Sequence, residues 1–332
     1  MNLHLAAALD GAGGHPAAWR AQGARPDLPL TAGYWAGLVK EAEQGLLDFV
    51  TFEGGLEPGG PGRSDGPGRV HGRLDASLIA ARVAPLTSRI GLIPVTDAIS
   101  AEHVALEIAT LDRISRGRAG WHPKVSLLPG EAAAVVDHVR RLWDGPPNGH
   151  PPVTAPAYDV EPYEFAARAC DVVYVTPRDW LDTTVIVDQV RAAEKAAGRT
   201  GPRLKVFADL VVFLDRHPGV AAGRKARLDD LDGAEFTSEA LVYTGTPTGL
   251  VGLILDWRSA GLDGFRLRPG VLPHDLSAIT RGLVPELRAR GVFRHRYAAA
   301  SLRGRLGLPC PDGHDGDPPR PSRPYRRRWT MP

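Results

Sequence analysis

The sequence predicts an α/β fold closed as a (β/α)8 barrel of the TIM type, and three observations carry that prediction. Short apolar runs alternate with amphipathic helical segments from residue 3 to about residue 290, the pattern of a parallel sheet with crossover helices. Seven or eight such units fit in that length, which favours closure into a barrel over an open doubly wound sheet. No G-x-G-x-x-G follows the first strand, so the usual mark of a dinucleotide-binding domain is missing.

The elements follow in order. Residues 3–9, LHLAAAL, form the first strand and lead into a glycine-containing loop. Residues 34–44 have helical spacing through Tyr34, Leu38 and Ala42 and precede the second strand, LDFVTF, at 47–52. The Gly/Pro-rich stretch 54–72 carries no core pattern and exceeds an ordinary βα connection, so it reads as a lid or as disorder. Asp75 can cap a helix over 75–86. A strand at 90–95, a helix at 101–114, a strand at 118–121 and a helix at 131–143 come next, the last stopped by DGPP. Strands at 153–157 and 171–176 flank a helix at 163–169. A helix at 183–197 then leads to the long strand 204–214. Helices at 220–231 and 248–260, a last strand at 264–267 and a last helix at 276–290 complete the barrel.

Composition narrows the partners. A formal charge of +2 gives no argument for nucleic acid, and the apolar runs are too short to span a membrane. The N-terminus lacks the basic region of a signal peptide. Two cysteines, Cys170 and Cys310, form neither a disulfide framework nor a zinc spacing, and a reducing cytoplasm suits them. Residues 311–332 are rich in Pro, Gly and Arg and read as a disordered basic tail behind a barrel domain of residues 1–310.

Three blocks carry a resemblance. They are GGHPAAWR at 13–20; RLDASLIAARVAPLTSRIGL at 73–92 with ATLDRISRGRAGW at 109–121; and TGTPTGLVGLILDWRSAGLDGFRLRPGVLPHDL at 244–276 with its continuation through LVPELRARGVFRHRYAAASLRGRLGLP. In this order they resemble the bacterial-luciferase-like flavin-dependent monooxygenases, in the branch of the nitrilotriacetate, pristinamycin and dibenzothiophene-sulfone monooxygenases. The resemblance implies reduced FMN from a separate flavin reductase, O2, a small organic substrate and a homodimer. The chain departs from that pattern in its short connection after the fourth strand, where the resemblance implies a long insertion. A catalytically silent barrel acting as a partner subunit or binding protein, or a barrel using the deazaflavin F420, therefore stand as alternatives.

In a barrel the chemistry lies at the C-terminal ends of the strands, and the resemblance selects residues there. His15, after the first strand, is a candidate catalytic group or a loop-packing side chain. The acidic position near the flavin ring falls on Gly54, with Glu53 one residue earlier. Thr96 lies in a segment that normally contributes to the flavin pocket. His122 follows Trp121 and either donates to the flavin as a catalytic and cofactor-binding group or stands idle at the rim. Ala155, Ala157, Tyr158, Tyr163 and Arg168 surround the expected phosphate turn, where Arg168 ends the FAAR motif. That turn also contains Pro156, Pro162, Asp159 and Glu161; prolines remove N–H donors and carboxylates repel phosphate. Arg268 is the candidate substrate contact. All the strand-end groups are expected at one mouth of the barrel.

Overall fold

Among the described residues the apolar runs become nine strands and the amphipathic segments become the helices between them. The structure, a computed structural model, describes residues 3–22, 24, 28–53, 74–97, 100–124, 129–143 and 149–310. The strands are β1 (His4–Leu9), β2 (Phe49–Phe52), β3 (Gly91–Asp97), β4 (His122–Lys124), β5 (Thr154–Pro156), β6 (Val172–Val175), β7 (Lys205–Leu214), β8 (Leu241–Gly245) and β9 (Gly264–Pro269). The helices that cover them are α1 (Ala32–Gln44), α2 (Ala76–Val83), α3 (Ala101–Ser115), α4 (Pro129–Leu142), α5 (Val160–Ala169), α6 (Trp180–Ala196), α7 (Pro218–Asp232) and α8 (Pro247–Ser259). Side chains start several of them: Thr31, Asp75, Ser100, Asp179 and Thr246 each accept a backbone N–H of the first turn, which satisfies a donor the helix leaves unpaired.

Every strand pairing among the described residues is parallel. The order β4-β3-β2-β1-β9-β7-β6-β5 runs around the sheet, and the Trp121–Val153 bridge joins its two edges into a barrel. β8 stands outside this ring and pairs only with the last five residues of β7, Leu210 to Leu214. The sequence pattern did not predict this extra strand, whose residues are only half-buried. β4 forms at His122–Lys124, just past the expected 118–121, where Ala119 and Trp121 make isolated bridges. α4 starts only a few residues after it, so the connection is short as predicted. Residues 54–72 and the tail 311–332 lie outside the described residues.

The expected last helix at 276–290 is broken. α9 (His274–Ala278) passes through a π-helical turn, Ile279–Leu283, into α10 (Val284–Ala289). Pro285 explains the break, since it has no N–H for the carbonyl one turn earlier and its ring crowds that turn.

Two apolar layers hold the barrel. Outward-facing residues such as Leu5, Val50, Leu92 and Val173 pack under the helices. Inward-facing Ala6, Phe49, Ile93, Val172, Tyr174 and Phe207 fill the lumen and close on Leu302, Leu306 and Leu308. Those leucines belong to or follow a short helix, α11 (Leu302–Arg305), that stops the lower end of the barrel. The fit is close: a Cβ at Gly91 would come within 2.8 Å of Leu302. Beside this plug, buried Asp48 accepts from Arg294 at 2.6 and 2.7 Å and from the Leu5 N–H at 2.9 Å. The lower end is sealed, which leaves the C-terminal mouth for chemistry.

Candidate active site

Charged and polar residues interrupt the apolar lumen at one level near the mouth. Asp209 sits in the middle of β7, in the run KVFADLVVFL, and is fully buried. Such a charge needs a partner, and Arg266 of the neighbouring β9 supplies it. The strand register sets these two residues side by side, and Arg266 Nε and Nη2 each donate to the Asp209 carboxylate at 2.8 Å. Nη1 of the same guanidinium donates to Glu53 at 3.3 Å, and Thr51 donates to Glu53 at 3.4 Å. This fork-to-fork geometry fixes the plane of the guanidinium.

That plane lies over the ring of Tyr174, with 4.1 Å from the guanidinium carbon to the ring centroid. On the same ring His122 stacks at 5.7 Å, and Thr154 lies 3.4 Å from His122 Nδ1. Burial first, and the Arg266 cation second, push the His122 pKa down to about 3, so its imidazole is neutral. The Tyr174 hydroxyl is fully buried and makes no hydrogen bond of good geometry; Thr154 is its potential partner. An orphaned buried hydroxyl costs stability and marks a position where a ligand atom completes the set. Tyr158 at the rim is half exposed; burial of its hydroxyl, and next the Asp209 charge, raise its pKa to about 12. Arg268 points the same way as Arg266 but sits 3.6 Å from Asp209, less tightly held and partly exposed.

The expected residues divide on this geometry. Glu53, His122, Tyr158 and Arg268 come together at the mouth. Thr96 and His122 are at the same end, since Val95 pairs with His122 and Thr96 with Pro123. Thr96 itself faces outward, however, and accepts the Trp121 indole N–H at 2.9 Å. Ala155, Ala157 and Tyr163 also face the helices and are buried in the outer core. Strand alternation makes their neighbours Thr154 and Pro156 the lumen-facing pair. Arg168 is a correction: it lies exposed in the last turn of α5, at the opposite end of that helix from the turn it was expected to serve. His15 is another. Its Nδ1 accepts the Ala17 N–H at 3.0 Å and its Nε2 donates to Asp229 at 3.0 Å. Both nitrogens are thus occupied, in a pocket formed with Phe213 and Phe236. The ring anchors α7 to the loop after β1. Gly54 lies outside the described residues.

Sequence reasoning missed Thr51, Thr154, Tyr174 and Asp209. The signal for Asp209 was legible, because an acid inside a ten-residue apolar strand must find a cation on an adjacent strand. Among the described residues no cluster has the composition of a metal site.

The chain is similar to known proteins over nearly its whole length. No family model matches it. It is 22% identical to nitrilotriacetate monooxygenase component A of Aminobacter aminovorans, over 94% of this chain and 97% of that protein. It is also 22% identical to dibenzothiophene-sulfone monooxygenase of Rhodococcus erythropolis, over 89% and 93%. The structure superposes on that of EDTA monooxygenase from Chelativorans sp. BNC1 with a TM-score of 0.77 at 19% identity, covering 93% of this chain and 99% of that one. The expected likeness to luciferase-like monooxygenases and their barrel therefore holds. The first alignment spans 444 residues, against 332 in this whole chain, so more than a hundred positions of that relative have no counterpart here.

Proposed function

From a chain that resembles the luciferase-like monooxygenases from end to end, we propose that the protein is a flavin-dependent monooxygenase. It acts on a small organic substrate at the mouth of the barrel, with reduced flavin delivered by a separate reductase. One observation carries this reading. The C-terminal mouth holds a rigid polar platform, Arg266 clamped by Asp209 and Glu53 and laid over Tyr174, in the position where barrels of this kind place their chemistry. Flavin, when bound, supplies the electrons that activate O2. The chain supplies the surroundings. Arg266 is a fixed cation that stabilises developing negative charge without reorganising. Tyr174 and Thr154 offer hydroxyls, and neutral His122 donates or accepts without adding charge. Glu53 and Tyr158 at the rim are the proposed cofactor contacts, and Arg268 the proposed substrate contact.

The platform suits a polar heteroaromatic ring. The phosphate of FMN, expected at the turn after β5, is not supported there.

The test is anaerobic titration with reduced flavin, followed by admission of O2 and measurement of hydrogen peroxide. Binding of reduced flavin that is lost in Arg266→Met supports the reading. Absence of flavin binding in any redox state overturns it. A second reading, in which the chain needs a partner to cover its site, is favoured by the missing positions relative to nitrilotriacetate monooxygenase. It requires that all O2 consumed by the chain alone appear as hydrogen peroxide.

We also place the protein in the cytoplasm, where a reducing compartment suits the buried thiol of Cys170. It is proposed to be a homodimer through α2 and α3, whose outer faces expose Leu78 and Leu106 to 72% and 70%. No helix among the described residues is long and apolar enough to cross a membrane.

A further inference from the structure

The turn between β5 and α5 offers a phosphate dianion fewer N–H donors than an ordinary helix start and sets two carboxylates beside it. Pro156 and Pro162 have no N–H to offer. The Ala157 N–H donates to the Tyr174 carbonyl at 2.8 Å, and the Tyr163 N–H to the Asp159 carbonyl at 3.2 Å. Asp159 and Glu161 are exposed at this turn, and the Tyr163 side chain is buried on the far side, against the helices.

The acidity extends around the rim. Asp10 follows β1, Glu53 follows β2, Asp97 ends β3 and Asp179 follows β6. Of the cations nearby, Arg266 is taken up by Asp209 and Glu53, and Arg268 leans on Asp209. Among the described residues Lys124 ends β4, Arg178 lies beyond β6 and Arg216 beyond β7, still fewer than the carboxylates at the strand ends. This ring of carboxylates belongs to a chain whose overall charge is +2, so composition does not account for it. Beneath it the lumen is polar but uncharged at Tyr174, His122 and Thr154. The Tyr174 hydroxyl, buried and without a hydrogen-bond partner, is an independent sign that a ligand atom enters here.

We infer that the mouth takes an uncharged heteroaromatic ligand and rejects its phosphorylated form, so that riboflavin binds in preference to FMN. This inference rests on the flavin reading above. It reverses the usual arrangement, in which phosphate strengthens binding through N–H donors and positive charge. A carboxylate a few ångströms from the phosphate, in a partly solvated site, weakens FMN by about fivefold. Two such groups give more than about tenfold.

Quenching of flavin fluorescence by the full-length protein tests this, with riboflavin and FMN each titrated at low and at high salt. At low salt riboflavin is expected to bind at least about tenfold more tightly than FMN. Salt screens the repulsion, so FMN affinity should rise with ionic strength while that of riboflavin stays level. The isosteric pair Asp159→Asn and Glu161→Gln should tighten FMN severalfold and leave riboflavin unchanged. FMN binding as tightly as riboflavin, or weakening as salt is added, overturns the inference and leaves the flavin reading standing. If neither ligand binds in the oxidised or the reduced state, both fall.

Discussion

At the scale of single residues, two side chains of the mouth make opposite demands on stability. The Tyr174 hydroxyl is desolvated and unpaired, a state that costs about 1–3 kcal/mol. Tyr174→Phe keeps the ring under Arg266 and removes the orphan. The variant without ligand should therefore be as stable as the parent or about 1 kcal/mol more stable by urea unfolding, while ligand affinity falls roughly tenfold. A stability loss of the usual core-mutation size would show that the hydroxyl already has a partner. His122 behaves differently. Its ring takes up a proton near pH 6.5 in an unfolded chain but only near pH 3 in the folded protein, chiefly because it is buried and secondarily because Arg266 faces it. Between those values the unfolded state binds more protons, so stability is complete above about pH 6.5 and declines as pH falls toward 3. At about pH 4.5 the decline due to this group is about 2–3 kcal/mol. His122→Gln should remove that part of the acid slope, and urea midpoints at neutral and acid pH compare the two proteins directly.

At the scale of elements, the strands and helices were legible because parallel barrels repeat one pattern, an apolar run followed by an amphipathic helix. What the pattern left undecided was the phase of each strand. Strand neighbours point to opposite faces, so an error of one residue turns a lumen residue into a core residue. Thr96 was expected at the site and binds Trp121 behind the sheet instead. Ala155 was expected and Thr154 is the residue that reaches His122. In a strand buried on both faces, apolar periodicity carries no phase information; only a polar residue does, as Asp209 and Arg266 show. The barrel floor was equally hidden, since residues 302–308 have an ordinary composition and acquire their role through contact with Phe49, Ile93 and Phe207 far away in sequence. The packing of that floor predicts a large cost for Leu302→Ala, about 2–4 kcal/mol from lost burial and the cavity left behind. Because the plug sits at the end of the barrel opposite the mouth, flavin binding at saturating protein should survive at low temperature. Thermal unfolding combined with flavin titration separates the two effects, and loss of binding without loss of stability would contradict the assignment of the plug as a purely structural element.

At the scale of the whole molecule, the chain keeps the barrel of its relatives and lacks more than a hundred positions of the nitrilotriacetate enzyme, which leaves two surfaces to explain. One is the mouth, with its polar platform and only a few residues of chain between β4 and α4. The other is the outer face of α2 and α3. Leu78 and Leu106 are largely exposed, and Leu86 and Ile114 add to them at 37% and 47%. Scattered exposed leucines are ordinary on a protein surface, but Leu78, Leu106 and Ile114 fall on two neighbouring helices whose other faces are already buried against the barrel, and Leu86 on the turn that follows α2. An exposed apolar face of that kind is a site of association, and in a two-fold dimer the same patch serves both copies. Ala-rich α2 permits close approach of the helices. Sedimentation velocity at micromolar concentration should give a dimer. Leu78→Asp together with Leu106→Asp should give a folded monomer, because each charge is solvent-exposed in the isolated chain and buried only on pairing. The circular dichroism and the urea midpoint of that monomer report whether the fold is intact. A parent protein that sediments as a monomer, or a doubly substituted one that remains a dimer, would remove α2 and α3 as the interface and leave their leucines without a role.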